Sequence, residues 1–253
     1  MNYMKRFFLC ASILFCGLSA SSQETGSSDV TYGGKPLSEA ANGHEYVDLG
    51  LPSGTLWATM NIGAIKPAGY GDYFAWGELS GYNDGKETFS WKNYKLCNGS
   101  QSKITKYMVD RKKAREIALV TDQSLADANI SDVELDVEDD VARAQWGGSW
   151  RIPTSAAFRE LNKECEREWT TQNGRWGYLF TSKTNGNSIF FPAGGFRDKT
   201  LYNLAAYGYY WSRTLYTRYS GGAFILYFDS NGVNAADNQY RCMGRSVRAV
   251  LER

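Results

Sequence analysis

The segment Trp146–Glu160, WGGSWRIPTSAAFRE, limits the possible folds of this chain more than any other. Its adjacent glycines adopt backbone conformations that a Cβ atom disfavours. Pro153 cannot continue a preceding helix, and the side-chain oxygen of Thr154 or Ser155 can cap a new one. The segment therefore predicts that one helix ends before the glycine pair and that a second begins after the proline.

Two helices are thus predicted around this segment. The first covers Val137–Trp146 and is capped by Asp136, with further acids complementing the dipole of its first turn. A calcium loop in the acidic run SDVELDVEDD is disfavoured, because the run lacks the loop Gly and final Glu of an EF-hand. The second helix covers Thr154–Arg167. Three of its side chains recur on one apolar stripe and are expected to face the core: Phe158, Leu161 and Cys165.

Strand patterns occupy the rest of the chain. A hairpin is predicted around the turn Pro52–Gly54 and a strand over Tyr70–Glu78. Beyond Gly174, five segments have the apolar and aromatic composition of short strands: GYLFTS, NSIFFPAGGF, YGYYWSRTLY, GGAFILYFDS and SVRAVLE. Strands therefore lie before and after two central helices, an order that predicts the α+β class with short antiparallel strands and long loops.

The N-terminus has the features of a secretory signal. Lys5 and Arg6 precede an apolar run, and small residues at positions 20–22 suit a signal peptidase. Residues 1–22 are therefore predicted to be a signal peptide, with Cys16 leaving a lipid anchor open as an alternative. Residues 23–43 are too polar to bury a core and are predicted to be a disordered leader, and residues 44–253 a single domain. The chain is expected to be exported, to the cell surface, the extracellular space or the periplasm, without a membrane span.

Several kinds of chemistry are excluded by composition. A formal net charge of +1 gives no reason to expect a nucleic acid partner. His44 is the only histidine and is expected at the surface, which excludes catalytic triads and multi-histidine zinc sites. Neither a catalytic residue nor a metal or other cofactor is predicted. Cys165 and Cys242 are the favoured pair for a disulfide that closes a long loop and leaves Cys97 free, although an unbonded pair stays open.

The C-terminal third has the composition of a ligand-binding face. Aromatic rings supply contact area at a low entropic cost, while Asn and Arg side chains supply adaptable hydrogen bonds. A place in the core of a strand is the plainer alternative for many of these aromatic residues. The residues predicted to bind a ligand are Tyr207, Tyr209, Trp211, Arg213, Tyr216, Arg218, Tyr219, Asn234, Asn238, Tyr240 and Arg241.

Six segments lie in order within residues 44–253: HEYVDLGLPSGTLWA, YGDYFAWGE, LDVEDDVARAQWGGSWRIPTSAAFREL, NSIFFPAGGFR, YYWSRTLY and GRSVRAV. Together they resemble the exported Fibrobacter-type major paralogous domain family, which is abundant in Bacteroidetes. The resemblance implies a C-type-lectin-like fold, related to formylglycine-generating enzymes and to the variable proteins of diversity-generating retroelements. It also implies a ligand face close to the C-terminal strands, at about residues 207–241 here.

The chain departs from these relatives at positions that matter for their chemistry. FPA and WSR stand in place of the calcium-dependent sugar signatures of true C-type lectins, and only Cys242 stands where the oxidases need two nearby cysteines. We therefore expect a non-catalytic exported binding module that presents aromatic and Arg-rich loops to a protein or a glycan. The alternatives are an enzyme of the formylglycine-generating type and a structural subunit of a surface appendage. The sequence does not indicate an oligomeric state.

Overall fold

A computed structural model of the chain describes residues 41–110, 112, 133–216 and 218–252. Its helices and strands are, in chain order, β1 (Tyr46–Asp48), β2 (Leu56–Asn61), α1 (Val141–Trp146), β3 (Trp150–Arg151), α2 (Ser155–Glu164), β4 (Cys165–Gln172), β5 (Arg175–Ser182), β6 (Ser188–Pro192), β7 (Phe196–Arg197), β8 (Leu201–Tyr202), β9 (Gly208–Leu215), β10 (Gly222–Asp229), β11 (Gly232–Tyr240) and β12 (Arg248–Leu251). Short 3-10 turns lie at Trp91–Asn93, Gln101–Lys103 and Val137–Asp139.

The strands of the described residues form four small antiparallel sheets. Their strand orders are β1-β2-β12-β3, β11-β10-β9, β4-β5-β6 and β7-β8. In the first sheet Val250 of β12 pairs with Trp57 on one side and with Arg151 on the other. This sheet therefore joins the N-terminal hairpin, the segment after the glycine pair and the C-terminal strand.

The predicted α+β class, with a C-type-lectin-like architecture built on two central helices, is wrong. The described residues are mostly β, with 38% of them in strands or bridges and 14% in helical structure. The two helices are short, with 6 residues in α1 and 10 in α2. Antiparallel hairpins that follow directly after α2 account for most of the regular structure.

The first predicted helix begins later than its pattern indicates. Asp136 precedes the 3-10 turn Val137–Asp139, and its side chain makes no capping hydrogen bond. The cap is Asp140, whose carboxylate accepts hydrogen bonds from the first-turn N–H groups of α1 at 3.0 and 3.2 Å. Gly147, with a φ of 68°, ends the helix as expected for a residue without a Cβ atom.

The second predicted helix begins where expected but ends three residues early. Thr154 caps α2 through its Oγ1 atom, which accepts from the N–H of Ala157 at 3.0 Å. After Glu164 the chain enters β4 instead of continuing the helix. The helix ends early because the following residues pair in a hairpin. Its turn is Asn173–Gly174, where both residues have positive φ, and β4 pairs with β5 without a register shift. The three side chains predicted to face the core are all buried: Phe158, Leu161 and Cys165.

The strand predictions are confirmed in part. The hairpin around residues 52–54 is present, and the five strands predicted beyond Gly174 correspond to β5, β6, β9, β10 and β12. Strands β4 and β11 were not predicted. The predicted strand over residues 70–78 is wrong, because this segment joins a ladder only through an isolated bridge between Phe74 and Arg245.

The described residues include three that precede the predicted domain boundary at residue 44. Ala41 lies in the predicted leader, yet it is fully buried, and its carbonyl oxygen accepts from Trp150 Nε1 at 2.7 Å. His44 is half-buried rather than at the surface, because its ring stacks on Trp146 at 4.0 Å between centroids. Both tryptophans belong to the largest hydrophobic cluster of the described residues. The predicted signal peptide over residues 1–22 and residues 23–40 of the leader lie outside the described residues.

Among the described residues no helix suits a membrane span. The longer one, α2, has 10 residues, whereas crossing a bilayer takes about 20.

Candidate functional site

The residues predicted to bind a ligand divide into two groups by burial. One group is buried and consists of Tyr209, Trp211, Arg213 and Arg241. The other group is half-buried or exposed and consists of Tyr207, Tyr216, Arg218, Tyr219, Asn234, Asn238 and Tyr240. A buried side chain touches a ligand only if the fold opens. The four buried residues therefore have structural roles in the fold, and their contact with a ligand stays a prediction.

Strand β9 places three of these buried side chains. Every residue of β9 is buried, because other parts of the chain cover both faces of the strand. Trp211 Nε1 donates to the carbonyl oxygen of Phe74 at 2.7 Å. The guanidinium of Arg213 donates to the carboxylates of Glu134 and Glu252, each at 2.7 Å. These contacts tie β9 to distant segments and leave its polar groups satisfied inside the protein.

Arg241 joins three segments from inside the protein. Its Nε atom donates to the hydroxyl of Tyr94 at 2.9 Å. Its Nη1 atom donates to the carbonyl oxygens of Tyr107 at 2.8 Å and Ser220 at 2.9 Å, and Nη2 donates to that of Lys106 at 2.9 Å. The buried guanidinium thus holds the loop before Met108 against the loop between β9 and β10.

Arg245 is a second buried guanidinium, which the sequence analysis did not single out. It lies over the rings of Phe196, Tyr209 and Trp211, 4.7 to 5.3 Å from their centroids. Its Nη2 atom donates to Gln239 at 3.1 Å, while Nε and Nη1 have no hydrogen-bond partner among the described residues. Burial lowers the pKa of Arg245 to about 10. Aromatic ring faces, rather than a carboxylate, stabilise this guanidinium cation. Arg245 therefore also belongs to the structural core.

Five of the remaining predicted residues come together where β9, β10 and β11 meet their loops. We call this group the tyrosine face: Tyr216, Arg218, Tyr219, Asn238 and Tyr240. The ring centroids of Tyr219 and Tyr240 are 6.4 Å apart, and those of Tyr216 and Tyr219 are 5.3 Å apart. Tyr219 is 36% exposed and Tyr240 is 45% exposed. Two neighbouring phenol rings therefore reach solvent beside the exposed guanidinium of Arg218.

A cleft of about 350 Å³ adjoins the tyrosine face. It is lined by Gln101, Ser102, Ile104, Met108, Val109, Arg218, Tyr219, Ser220 and Gly221. Met108 is 62% exposed, an unusual position for a large apolar side chain. The N–H of Val109 donates to Ser220 Oγ at 2.9 Å and so joins two of the segments that line the cleft. Sequence analysis missed residues 101–109 because they lie about a hundred positions before the tyrosine face and carry no motif.

The phenol of Tyr219 stays protonated at neutral pH. Burial raises its pKa to about 12, and the rings of Tyr240 and Tyr216 add to the rise. Its hydroxyl donates to Asn238 Oδ1 at 3.2 Å. The tyrosine face thus offers amphipathic rings without charge, and Arg218 supplies a formal charge beside them.

A second cleft, of about 280 Å³, lies elsewhere on the surface, and we call it the tryptophan cleft. It is lined by Trp169, Trp176, Ala205, Ala206, Tyr207, Asp229, Ser230 and Asn231. Of these, only Tyr207 was predicted to bind a ligand. Trp169 and Trp176 stack in parallel, with centroids 5.8 Å apart, because they are diagonal neighbours on paired strands. The pair was missed because Trp169 lies two residues beyond the predicted end of a helix.

Asn234 lies apart from both clefts. It is exposed on β11, opposite Tyr227 in the strand register. Its Oδ1 atom accepts from the N–H of Ala236 at 3.0 Å. Its strand partner Tyr227 lies between it and the rings of Tyr207 and Tyr209, 6.0 and 5.3 Å from Tyr227 between centroids.

The disulfide favoured from the sequence is absent. Cys165 and Cys242 belong to different hydrophobic clusters, and both are free and buried, as is Cys97. Burial raises the pKa of Cys165 to about 11 and that of Cys242 to about 12, and nearby Cys97 adds to the second rise. Cys242 therefore has Cys97 as its cysteine neighbour, which loop length alone does not reveal.

Comparisons with models of protein families, with curated proteins and with solved structures gave no match. What this chain does has therefore to be inferred from its own residues.

Proposed function

We propose that this chain is a non-catalytic binding module that holds a protein ligand on the tyrosine face. The observation that carries the proposal is the exposed pair Tyr219 and Tyr240, 6.4 Å apart between centroids, with exposed Arg218 lining the same cleft as Tyr219. Tyr and Arg dominate the energetics of protein interfaces, and Met is enriched there as well. Met108, at the edge of the adjoining cleft, fits the same composition.

The support beneath the tyrosine face favours binding. Tyr216 is half-buried and packs edge-on against Phe224 at 5.2 Å, which backs the ring of Tyr219. Arg241 fixes the loop that contains Ser220 from below. Side chains that are already ordered lose less entropy on association, so a face built in this way binds more tightly than a mobile one.

Three further features fit an exported binding module without catalytic activity. The secretory signal predicted in residues 1–22 supports export. The single histidine, His44, stacks on Trp146 and is engaged in packing. The groups in the tyrosine face are neutral phenols, an amide and a guanidinium, which suit recognition better than proton transfer at neutral pH.

We expect the double substitution Tyr219→Ala and Tyr240→Ala to weaken binding by about 30-fold to 1,000-fold, because one aromatic hot spot contributes about 2 kcal/mol and two contribute up to about 4 kcal/mol. The measurement is binding to an array of soluble ectodomains from cell-surface proteins, followed by titration of the strongest hit. Thermal unfolding of the double variant accompanies it, since exposed substitutions shift stability little.

Tyr202→Ala is the matched control. Tyr202 is 43% exposed, close to the value for Tyr240, but it lies on β8 and lines neither cleft. This variant should bind every ectodomain as the wild type does. Full binding by the double variant, or an equal loss in Tyr202→Ala, would remove the tyrosine face as the site.

A further inference from the structure

The tryptophan cleft combines a flat aromatic surface with polar groups on a second wall. Three segments meet there: the β4–β5 hairpin, residues 205–207 and the turn between β10 and β11. The hairpin supplies Trp169 and Trp176, whose ring planes differ by 9°. Trp176 is 45% exposed even though it stacks on its neighbour. An indole surface that stays open to solvent at the edge of a cleft is available for a stacking ligand.

Trp169 fixes the aromatic wall from beneath. Its ring packs against Tyr178 at 5.4 Å and Phe228 at 6.3 Å between centroids, and both of those residues are buried. These edge-on contacts connect the hairpin to the sheet that contains β10. The wall is therefore ordered before a ligand arrives, which lowers the entropic cost of binding.

Asp229 provides the polar wall. Its Oδ1 atom accepts from the N–H of Asn231 at 2.8 Å, and Oδ2 accepts from the hydroxyl of Tyr227 at 3.0 Å. The hydrogen bond from the Asn231 N–H holds the pKa of Asp229 below its usual value, so the carboxylate is ionised at neutral pH. An ionised carboxylate accepts about four hydrogen bonds. The side chain of Asn231 and the N–H of Gly232 also lower this pKa, so hydroxyl groups of a ligand share the carboxylate oxygens of Asp229 with groups of the turn.

The charge and size of the cleft limit the ligand. The lining includes one carboxylate and no Lys, Arg or His, so the cleft repels anions and does not bind phosphate or sulfate groups. Its volume of about 280 Å³ falls just below the range of sites for drug-sized molecules, about 300–1,000 Å³. A small, hydroxyl-rich ligand that has one flat apolar face and carries no negative charge fits these limits.

We propose that the tryptophan cleft binds a neutral pyranose ring, which stacks its C–H face on Trp176 and donates hydroxyl hydrogen bonds to Asp229. The C–H hydrogens of a sugar ring carry partial positive charge, and the face of an indole carries the negative end of its quadrupole. The ring is either a free monosaccharide or the end of an oligosaccharide. The site is separate from the tyrosine face and stands whether or not that face binds a protein.

Saturation-transfer NMR on the purified full chain tests the proposal with methyl glycosides of glucose, galactose, mannose and N-acetylglucosamine. At least one of them should show saturable binding, with the strongest transfer to the ring C–H protons of a single sugar face. Trp176→Ala should weaken this binding by about tenfold or more, and Trp176→Phe should restore part of it. Asp229→Asn should weaken it severalfold, because the amide offers fewer acceptors.

Two further probes test the charge and the length of the ligand, and one control variant tests whether the two sites are separate. Methyl glucuronide should bind more weakly than methyl glucoside, because its carboxylate meets that of Asp229. Cellotetraose should bind as well as methyl glucoside if a chain end is the natural ligand, and more weakly if a free sugar is. Tyr240→Ala should bind the glycosides like the wild type. The proposal is overturned if none of the four neutral glycosides binds saturably, if Trp176→Ala binds them as well as the wild type, or if the glucuronide binds best.

Discussion

Replacing Arg241 with alanine is expected to lower the free energy of unfolding by about 3–5 kcal/mol, because the substitution leaves buried hydrogen-bond acceptors without donors. The guanidinium is fully buried and is the donor for the carbonyl oxygens of Lys106, Tyr107 and Ser220. Truncation also leaves a cavity between the rings of Trp76, Tyr94 and Tyr107, over which the guanidinium lies. Urea unfolding followed by tryptophan fluorescence and circular dichroism measures the loss.

Arg218→Ala is the matched control for this prediction. Arg218 carries the same charge on a nearby loop, but its side chain is exposed. Its loss should leave the unfolding midpoint unchanged within error. Arg241→Lys should fall between the two, because an ammonium group keeps the charge but cannot reproduce the planar fork of donors. Equal midpoints for Arg241→Ala and Arg218→Ala would contradict the structural role of Arg241.

Replacing Asp140 with alanine is expected to cost about 3–4 kcal/mol of unfolding free energy. The buried carboxylate caps α1, accepts from the N–H of Ile152 at 2.9 Å and pairs with Arg151 Nε at 2.8 Å. Its removal leaves the N–H groups of α1 and Ile152 without this acceptor, and it breaks the ion pair with Arg151. Thermal and urea unfolding of the purified variant measure the effect, and Asp140→Asn should give a smaller loss because its amide oxygen still accepts.

Asp136→Ala is the control for this prediction, since Asp136 is the cap expected from the sequence. In the structure its carboxylate instead pairs at the surface with Lys106, at 2.7 Å. The substitution should therefore change the unfolding midpoint very little. A loss in Asp136→Ala as large as that in Asp140→Ala would mean that the helix begins where the sequence pattern placed it.

Capping residues and apolar periodicity predicted that α1 and α2 exist. The same features placed the start of α1 and the end of α2 wrongly. Thr154 follows a proline and precedes an apolar stripe, so the start of α2 was predictable. Asp136 and Asp140 have the same capping chemistry, and only tertiary burial decides which of them caps α1. Cys165 fits the inward face of a helix and of a strand alike, so the change from α2 to β4 left no trace in the periodicity.

The candidate site was predictable in composition but not in exposure. Tyr209 and Tyr219 have the same chemistry and lie ten positions apart, yet one is buried in β9 and the other is open to solvent. What covers β9 is decided by segments far away in the chain. The pairing of Trp169 with Trp176 likewise depends on a strand register that is fixed only by the turn at Asn173–Gly174. Distant segments therefore decide the exposure of the β9 aromatic residues, while a local strand register decides the pairing of the two tryptophans.

The central claim is that a protein ligand contacts the exposed rings of the tyrosine face and does not contact the buried aromatic residues of β9. Hydroxyl-radical footprinting of the chain, free and bound to its strongest ectodomain ligand, tests this claim most directly. The oxidation of Tyr219, Tyr240 and Met108 should fall severalfold on binding, while Tyr209 and Trp211 should react slowly in both states. Unchanged oxidation of Tyr219 and Tyr240 in the complex, with protection elsewhere, would contradict the claim.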